Sequence, residues 1–428
     1  MTTGKDPIDL PASKSIGARF LVATYFAGTL PADPVFDGSV DLRMLQEALL
    51  NLYADEQPID YGETPLDMGD SGTALRFVTA VCASTPGADF VVGGSPRLNR
   101  RPMQPLIDVL TRAGAIIEKQ GKEGTGPYRV VGKRLEGGEF DIEAGISSQF
   151  ISALMLASPT WKKGMKLNFS SKVASLPYIK MTAKVMSDFG IKVNLQDSFV
   201  EVNAMRYKDS GHFHVEPDWS AAAFFYEAAA LGSVELFISG IVSPEKSMQG
   251  DSVADNYFKY AGFVNSAFTP EGVILKPAEK NIDKIELDFF NCPDLVPAMS
   301  VTCALSELPF RFTGVKNLRL KESDRLEAIC SELAKLGYVV IAHEDSLEWK
   351  GDKIPCEEDA VIDPHDDHRI AMAFAFAAFK TGKIRIKNSE VVEKSFTGFW
   401  QEVDKTGLFC TLLEEGTMLI EKKNDTLY

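Results

Sequence analysis

The sequence lacks any apolar run approaching the ~18 residues needed to span a bilayer. Its start, MTTGKDPIDLPASKS, carries neither an apolar stretch nor an Arg-rich amphipathic pattern, so no leader is expected and the location is read as cytoplasmic. Positive charge is short: 45 Lys and Arg against 60 Asp and Glu give a net charge of −15. That balance argues against a protein that coats nucleic acid or an anionic membrane, and neither partner is expected. The six cysteines are scattered without a CxxC pair, mostly in apolar surroundings such as TAVCAS, and read as reduced core thiols. Only five histidines are present. The cluster Asp363, His365, Asp366, Asp367, His368 has no second cluster to complete a coordination sphere, so no metal is expected.

What is present is a hidden repeat. A chain of 428 residues exceeds one typical core and suggests two or three domains. One pattern recurs: a polar cap, a helix rich in small residues, a β-like run, then a second helix ending in Gly before further strands. First-helix starts fall at Ser15, Ser71, Ser148, Asp218, Asp294 and Asp367; after a first interval of 56 the spacings are 77, 70, 76 and 73. Second helices end at Gly114, Gly190, Gly262, Gly337 and Gly407, spaced 76, 72, 75 and 70. Two landmarks with one period imply six related α/β units. The first helices are apolar nearly all round and should be buried, while the second are amphipathic and should face sheets. Three units per domain is the natural grouping. Crossings near VEPDWS and Pro11–Ala12 predict one domain over 13–217 and another over 1–12 plus 218–428. Polar caps on buried helices must open toward shared space, where their N–H groups favour an anion in a cleft between the domains.

Cations recur near the unit starts. Lys14, Arg19, Arg76, Arg101, Lys321, Arg325, Arg369 and Lys394 are the candidates. Singly, each reads as a solvated surface charge; their recurrence favours a site for carboxylate or phosphate, which Arg forks and Lys point charges suit. The stretch NLRLKESDRLEAI poses the choice sharply. Glu322, Ser323 and Asp324 suit an ordinary helix N-terminus, and Glu322–Arg325 at three apart is an ordinary pair worth ~0.2–0.5 kcal/mol. Lys321 and Arg325, like charges four apart, have no such excuse. Glu322 and Asp294 then place acids among cations, which costs energy unless they work as acid or base.

At this point the sequence resembles the 5-enolpyruvylshikimate-3-phosphate synthase family over essentially its whole length. The resemblance is carried by PASKSIGAR, GDSGTALR, SPRLNRRP, SSQF, SLPY, CPDLVPAM, KESDRL, DDHRIAM and KSF, in that order. It implies a two-domain α/β fold of six βαβαββ-like units, three per domain. It also implies transfer of the enolpyruvyl group of phosphoenolpyruvate to the 5-hydroxyl of shikimate 3-phosphate by addition and elimination in the interdomain cleft, without cofactor or metal, by a monomer. By the same resemblance, Lys14, Gly72, Arg101, Gln149, Glu322, Arg325, Arg369 and Lys394 would meet phosphoenolpyruvate. Shikimate 3-phosphate would meet Lys14, Ser15, Arg19, Ser147, Ser148, Gln149, Ser175, Asn317, Lys321 and Asp294, with Tyr178 against its ring. Asp294 would accept the hydroxyl proton, Glu322 would move the proton at the methylene carbon, and Lys14 would assist as acid. Asp70, Thr73 and His368 would support them.

Three departures accompany the likeness. Asp70 stands where the family often has Asn, and an ionised carboxylate there needs an Arg partner or a proton. Ala18 stands in place of Asn, and Phe77 in place of a frequent Pro. Gly72, lacking a methyl, leaves room for the bulkier family inhibitor glyphosate, so sensitivity is implied. The related enolpyruvyl transferase acting on UDP-N-acetylglucosamine is the nearest alternative. It places a reactive Cys in the loop that here reads GGSPRLNRRP, where none occurs. A non-catalytic phosphate-binding scaffold would have lost Lys14, Arg101, Asp294 or Glu322, and all are present.

Overall fold

A computed structural model describes residues 6–36, 38–53, 66–122, 125–211 and 214–423. The chain forms two compact units. One is Lys14–Val215; the other joins the chain's start, up to Ser13, with everything from Glu216 onward.

In the Lys14–Val215 unit, α1 (Lys14–Ala27) and α2 (Val40–Tyr53) come first. Next come β1 (Leu66–Asp67), α3 (Gly72–Ser84), β2 (Asp89–Gly93), α4 (Gln104–Arg112), β3 (Ile116–Lys119) and β4 (Tyr128–Val131). The order then repeats as β5 (Gly138–Ile142), α5 (Ser148–Ala157), β6 (Met165–Phe169), α6 (Leu176–Asp188), β7 (Val193–Leu195) and β8 (Phe199–Val202). Both sheets have one design: a parallel pair joined through a buried helix, then two antiparallel neighbours, in the orders β1-β2-β4-β3 and β5-β6-β8-β7.

The second unit uses the same design. It begins with α7 (Trp219–Gly232), β9 (Leu236–Ser239), α8 (Ala254–Tyr260), β10 (Val264–Thr269) and β11 (Gly272–Pro277). Here the parallel neighbour comes from the start of the chain: Ile8 bridges Ile238, and its N–H donates to the Phe237 carbonyl at 2.8 Å. The next sheet, in the order β12-β13-β15-β14, holds β12 (Ile285–Asp288), β13 (Phe310–Thr313), β14 (Ile341–Ala342) and β15 (Ser346–Trp349), with helices α9 (Val296–Leu305) and α10 (Arg325–Lys335). Last come β16 (Val361–Ile362), α11 (His368–Ala375), α12 (Ala378–Thr381), β17 (Lys383–Ile386), α13 (Phe399–Asp404), β18 (Leu408–Leu412) and β19 (Met418–Lys422), ordered β16-β17-β19-β18. The helix pairs thus recur six times and the sheet design five times among the described residues.

The helix chemistry explains the layers. Every residue of α5, α9 and α11 except Gln149 is buried, because small and apolar residues occur on all sides of these helices. The second helices bury one stripe only; in α10 that stripe holds Leu326, Ile329 and Leu333. All five glycines after the second helices have positive φ, from 71° to 110°. The left-handed residue turns the chain back, and at Gly337 the next N–H, that of Tyr338, closes on the Leu333 carbonyl at 3.0 Å.

Candidate active site

Many of the candidate side chains lie near the N-terminal ends of these helices, where unpaired N–H groups require acceptors. In the Lys14–Val215 unit, Lys14 opens α1 and its ammonium pairs with Asp41 of α2 at 2.9 Å. One turn on, Arg19 is buried. It donates to the Thr182 hydroxyl (2.6 Å), the Ser152 hydroxyl (3.0 Å) and the Ser15 carbonyl (2.7 Å). Its guanidinium lies 5.6 Å from the centre of the Phe77 ring and 5.9 Å from that of Tyr178. Phe77 thus has a clear role as an apolar face beneath a cation. Burial pulls the Arg19 pKa down to about 10, against a smaller upward influence of Tyr178.

Arg76, in α3, donates to the Gln149 side-chain carbonyl at 2.6 Å and lies over the Phe150 ring at 5.1 Å. Gln149 in turn donates to the Thr73 hydroxyl at 2.9 Å, so the starts of α3 and α5 are tied together. Ser71 caps α3 and Ser147 caps α5. Ser148, expected as the polar start of that helix, is the first helical residue and is buried, and the cap falls one residue earlier. Ser175 precedes α6 with φ of 54°, a left-handed conformation costly for a residue with a Cβ. Gly72 sits against two cations: a Cβ there would meet the guanidinium groups of Arg76 and Arg101 and push them aside. Asp70 accepts the Ser95 hydroxyl, a neutral donor, where the sequence suggested either an Arg partner or a proton.

The second unit gathers its charges around Asp294. This residue does not cap a helix: it sits in a short 3-10 turn before α9. Its carboxylate accepts Arg325 at 2.9 Å, Arg369 at 3.1 Å and Lys321 at 3.3 Å. Burial alone would raise this carboxyl; Arg369, Lys321 and Arg325 outweigh that and hold it well below the usual carboxylate range, with Glu322 opposing them. Arg325 is buried and also binds Glu322 at 3.0 Å and Asp367 through Nε at 2.8 Å. Desolvation disfavours its charge, but Asp367, Asp294 and Glu322 more than restore it, so its pKa is raised. The Glu322–Arg325 pair is therefore part of a buried network and not the exposed helix pair that its spacing suggests.

Asp324 caps α10 by accepting the Glu327 N–H at 3.2 Å. Ser323, grouped with it as a cap in the sequence, instead donates to Asp367 at 3.2 Å. Asp367 caps α11 through the Arg369 N–H at 3.0 Å. His368 is buried, with Nδ1 3.9 Å from Asp367. Asn317 lies in the short 3-10 helix Lys316–Leu320, and Lys394 ends another, Ser389–Lys394. Sequence reasoning missed Asp41 and Asp251. Asp251 is buried and accepts the Ser220 hydroxyl; burial first, then Asp294, push its carboxyl up to about 6, against Ser220 and Arg369. No group of three or more His, Cys, Asp or Glu among the described residues is arranged to hold a metal. No helix among them is long and apolar enough to cross a membrane.

Comparisons with known proteins agree on one family. The family model of EPSP synthase (3-phosphoshikimate 1-carboxyvinyltransferase) matches residues 45–403. A 3-phosphoshikimate 1-carboxyvinyltransferase of Bacteroides fragilis is 36% identical over 414 residues, spanning 96% of this chain and 97% of its own. One from Syntrophobacter fumaroxidans is 33% identical over 416 residues, covering 94% and 97%. The solved EPSP synthase of Acinetobacter baumannii superposes with a TM-score of 0.68 at 22% identity, over 97% of this chain and 98% of that one. With a family match over most of its length and relatives above 30% identity across nearly all of it, the chain belongs to the EPSP synthase family.

Proposed function

We propose that the protein transfers the enolpyruvyl group of phosphoenolpyruvate to the 5-hydroxyl of shikimate 3-phosphate, releasing phosphate. The observation that carries this reading is Asp294: one carboxylate in contact with three cations, one of which also holds Glu322. A reaction that joins two anions and moves two protons needs both kinds of group together.

In the addition, Glu322 protonates the methylene carbon of phosphoenolpyruvate, with Lys14 assisting. The 5-hydroxyl oxygen bonds to the neighbouring carbon as its proton passes to Asp294. In the elimination, the new methyl group returns a proton to Glu322, the carbon–oxygen bond to phosphate breaks, and phosphate leaves with the proton held by Asp294. Arg101, Arg325, Arg369, Lys394, Gly72 and Gln149 bind phosphoenolpyruvate. Ser15, Arg19, Ser147, Ser148, Gln149, Ser175, Tyr178, Asn317 and Lys321 bind shikimate 3-phosphate, while Asp70, Thr73 and His368 support them. Held low by its cations, Asp294 is a weak base. When phosphate or carboxylate groups of the substrates draw Lys321 and Arg369 away, its basicity rises, so base strength is coupled to ligand binding. Inhibition by glyphosate, a monomeric state and a cytoplasmic location belong to the same proposal.

The test is phosphate release from phosphoenolpyruvate. Release that requires shikimate 3-phosphate is expected. Release that requires UDP-N-acetylglucosamine instead would assign the related transferase reaction, and no release with either would leave a binding protein.

A further inference from the structure

The loop from Asp363 to Asp367 ends at the residue that pins Arg325 and caps the helix carrying Arg369. Asp and His tolerate the left-handed region better than most residues, and Asp363 and Pro364 supply acceptors within the loop, yet its shape is a costly one. His365 and Asp366 have φ of 52° and 57°, two consecutive left-handed residues without a glycine. Outside the loop, α10 holds it at two places.

The first is Arg325, bound to Asp367. The second is Glu332, seven residues further and therefore on the same helix face. Glu332 is 1% exposed. Its Oε1 accepts His365 Nε2 at 2.9 Å; its Oε2 accepts the Asp363 N–H at 3.0 Å and Lys335 Nζ at 2.6 Å. Lys335 also donates to the Val361 carbonyl at 3.0 Å, just before the loop. Within the loop, the His365 N–H donates to Asp363 at 2.8 Å and the Asp367 N–H to the Pro364 carbonyl at 2.8 Å. A buried carboxylate whose two oxygens hold the start and the middle of a strained turn sets where that turn leads, and this one leads to Asp367.

We infer that Glu332 and His365 are positioning residues for Arg325 and Arg369. The tie aligns the two guanidinium groups that bind phosphoenolpyruvate, without touching either substrate. This rests on the ligand assignment proposed above for those arginines. His365 itself is exposed, so its imidazole is not needed to fill a core.

The experiment uses the full chain and steady-state kinetics with each substrate varied. His365→Leu removes the donor, His365→Gly removes it while relaxing the left-handed turn, and His365→Gln restores a donor of similar reach. Leu and Gly variants should raise KM for phosphoenolpyruvate by about tenfold or more, with KM for shikimate 3-phosphate and the melting temperature little changed. The Gln variant should recover most of the loss. Parent-like kinetics for Leu, a Gln variant as impaired as Leu, or a parallel change in both KM values with a drop in melting temperature would each overturn the inference. Recovery in the Gly variant would also overturn it, by making backbone strain the cause. Arg369→Lys is the companion: an unchanged KM for phosphoenolpyruvate there overturns the ligand assignment and this inference with it. A raised KM there with a parent-like His365→Leu overturns only the inference.

Discussion

Arg19 and Arg325 are both buried arginines, one in each unit, yet their surroundings push them in opposite directions. Arg19 is held by two hydroxyls, a carbonyl and two aromatic faces, and its pKa falls. Arg325 is held by three carboxylates, and its pKa rises. A cation in a neutral cradle is uncompensated, and an arriving anion supplies the missing charge. A cation among carboxylates is already balanced, so an arriving anion must compete with those carboxylates. The first arrangement suits binding; the second couples binding to the proton chemistry of the acids it displaces.

The comparison can be broken at several points. The largest effect is expected at Glu322, which shares Arg325. Glu322→Gln keeps a hydrogen-bond acceptor but removes the proton carrier, so kcat should fall by ~10²–10⁴ with both substrates still bound; near-parent turnover in a steady-state assay would remove Glu322 from the chemistry. Next come the arginines themselves. Arg325→Met removes the cation that buried Asp367 and part-buried Glu322 share, and one of the three around Asp294, and should cost ~3–5 kcal/mol of stability. Arg19→Met strands only hydroxyls and a carbonyl, at ~1–3 kcal/mol. Urea unfolding of the two variants reads the difference, and equal losses would deny that the cradles differ in kind.

Gly72→Ala should raise KM for phosphoenolpyruvate about tenfold, because overpacking of ~1–3 kcal/mol falls on the Arg76 and Arg101 guanidinium groups; glyphosate inhibition should weaken in the same assay. A pH-dependent effect sharpens the acid side. Asp251 holds its proton up to about pH 6 in the folded chain but only to an ordinary value near 3.8 when unfolded. Between those values the folded state binds the extra proton, so the stability from this group is lost as pH rises through about 6. Asp294, held low, stays ionised in both states over most of that window and adds little slope. Asp251→Asn should therefore gain on the parent by roughly 2–3 kcal/mol between pH 4 and pH 7, measured by urea unfolding at each pH; parallel curves would mean that Asp251 is ionised throughout.

The cysteines illustrate a simpler rule: Cys82, Cys292 and Cys303 sit in apolar helical or turn sequences and are buried, while Cys356, in a charged stretch, is exposed. Local pattern also carries most of the helices. The small-residue composition of α5, α9 and α11 announces burial, and the glycines at 114, 190, 262, 337 and 407 announce the left-handed turns that end the second helices. Caps were legible where side chain and N–H are neighbours in the chain, as at Ser71, Asp218 and Asp367. Ser323 looked equally fit to cap and does something else, since a hydroxyl takes whichever acceptor the fold brings near.

What the sequence determined by itself is the repeating α/β design, because helix period, small-residue faces and glycine turns are local properties with a fixed spacing. The family likeness adds which residue types gather at the helix starts. Only the tertiary structure decided the partnerships: Lys14 with Asp41 across 27 residues, His365 with Glu332 across 33, Arg325 with Asp367 across 42. Contacts over such separations leave no local trace. Their strength depends on burial and on what else shares each oxygen, and both are set only when the chain has packed.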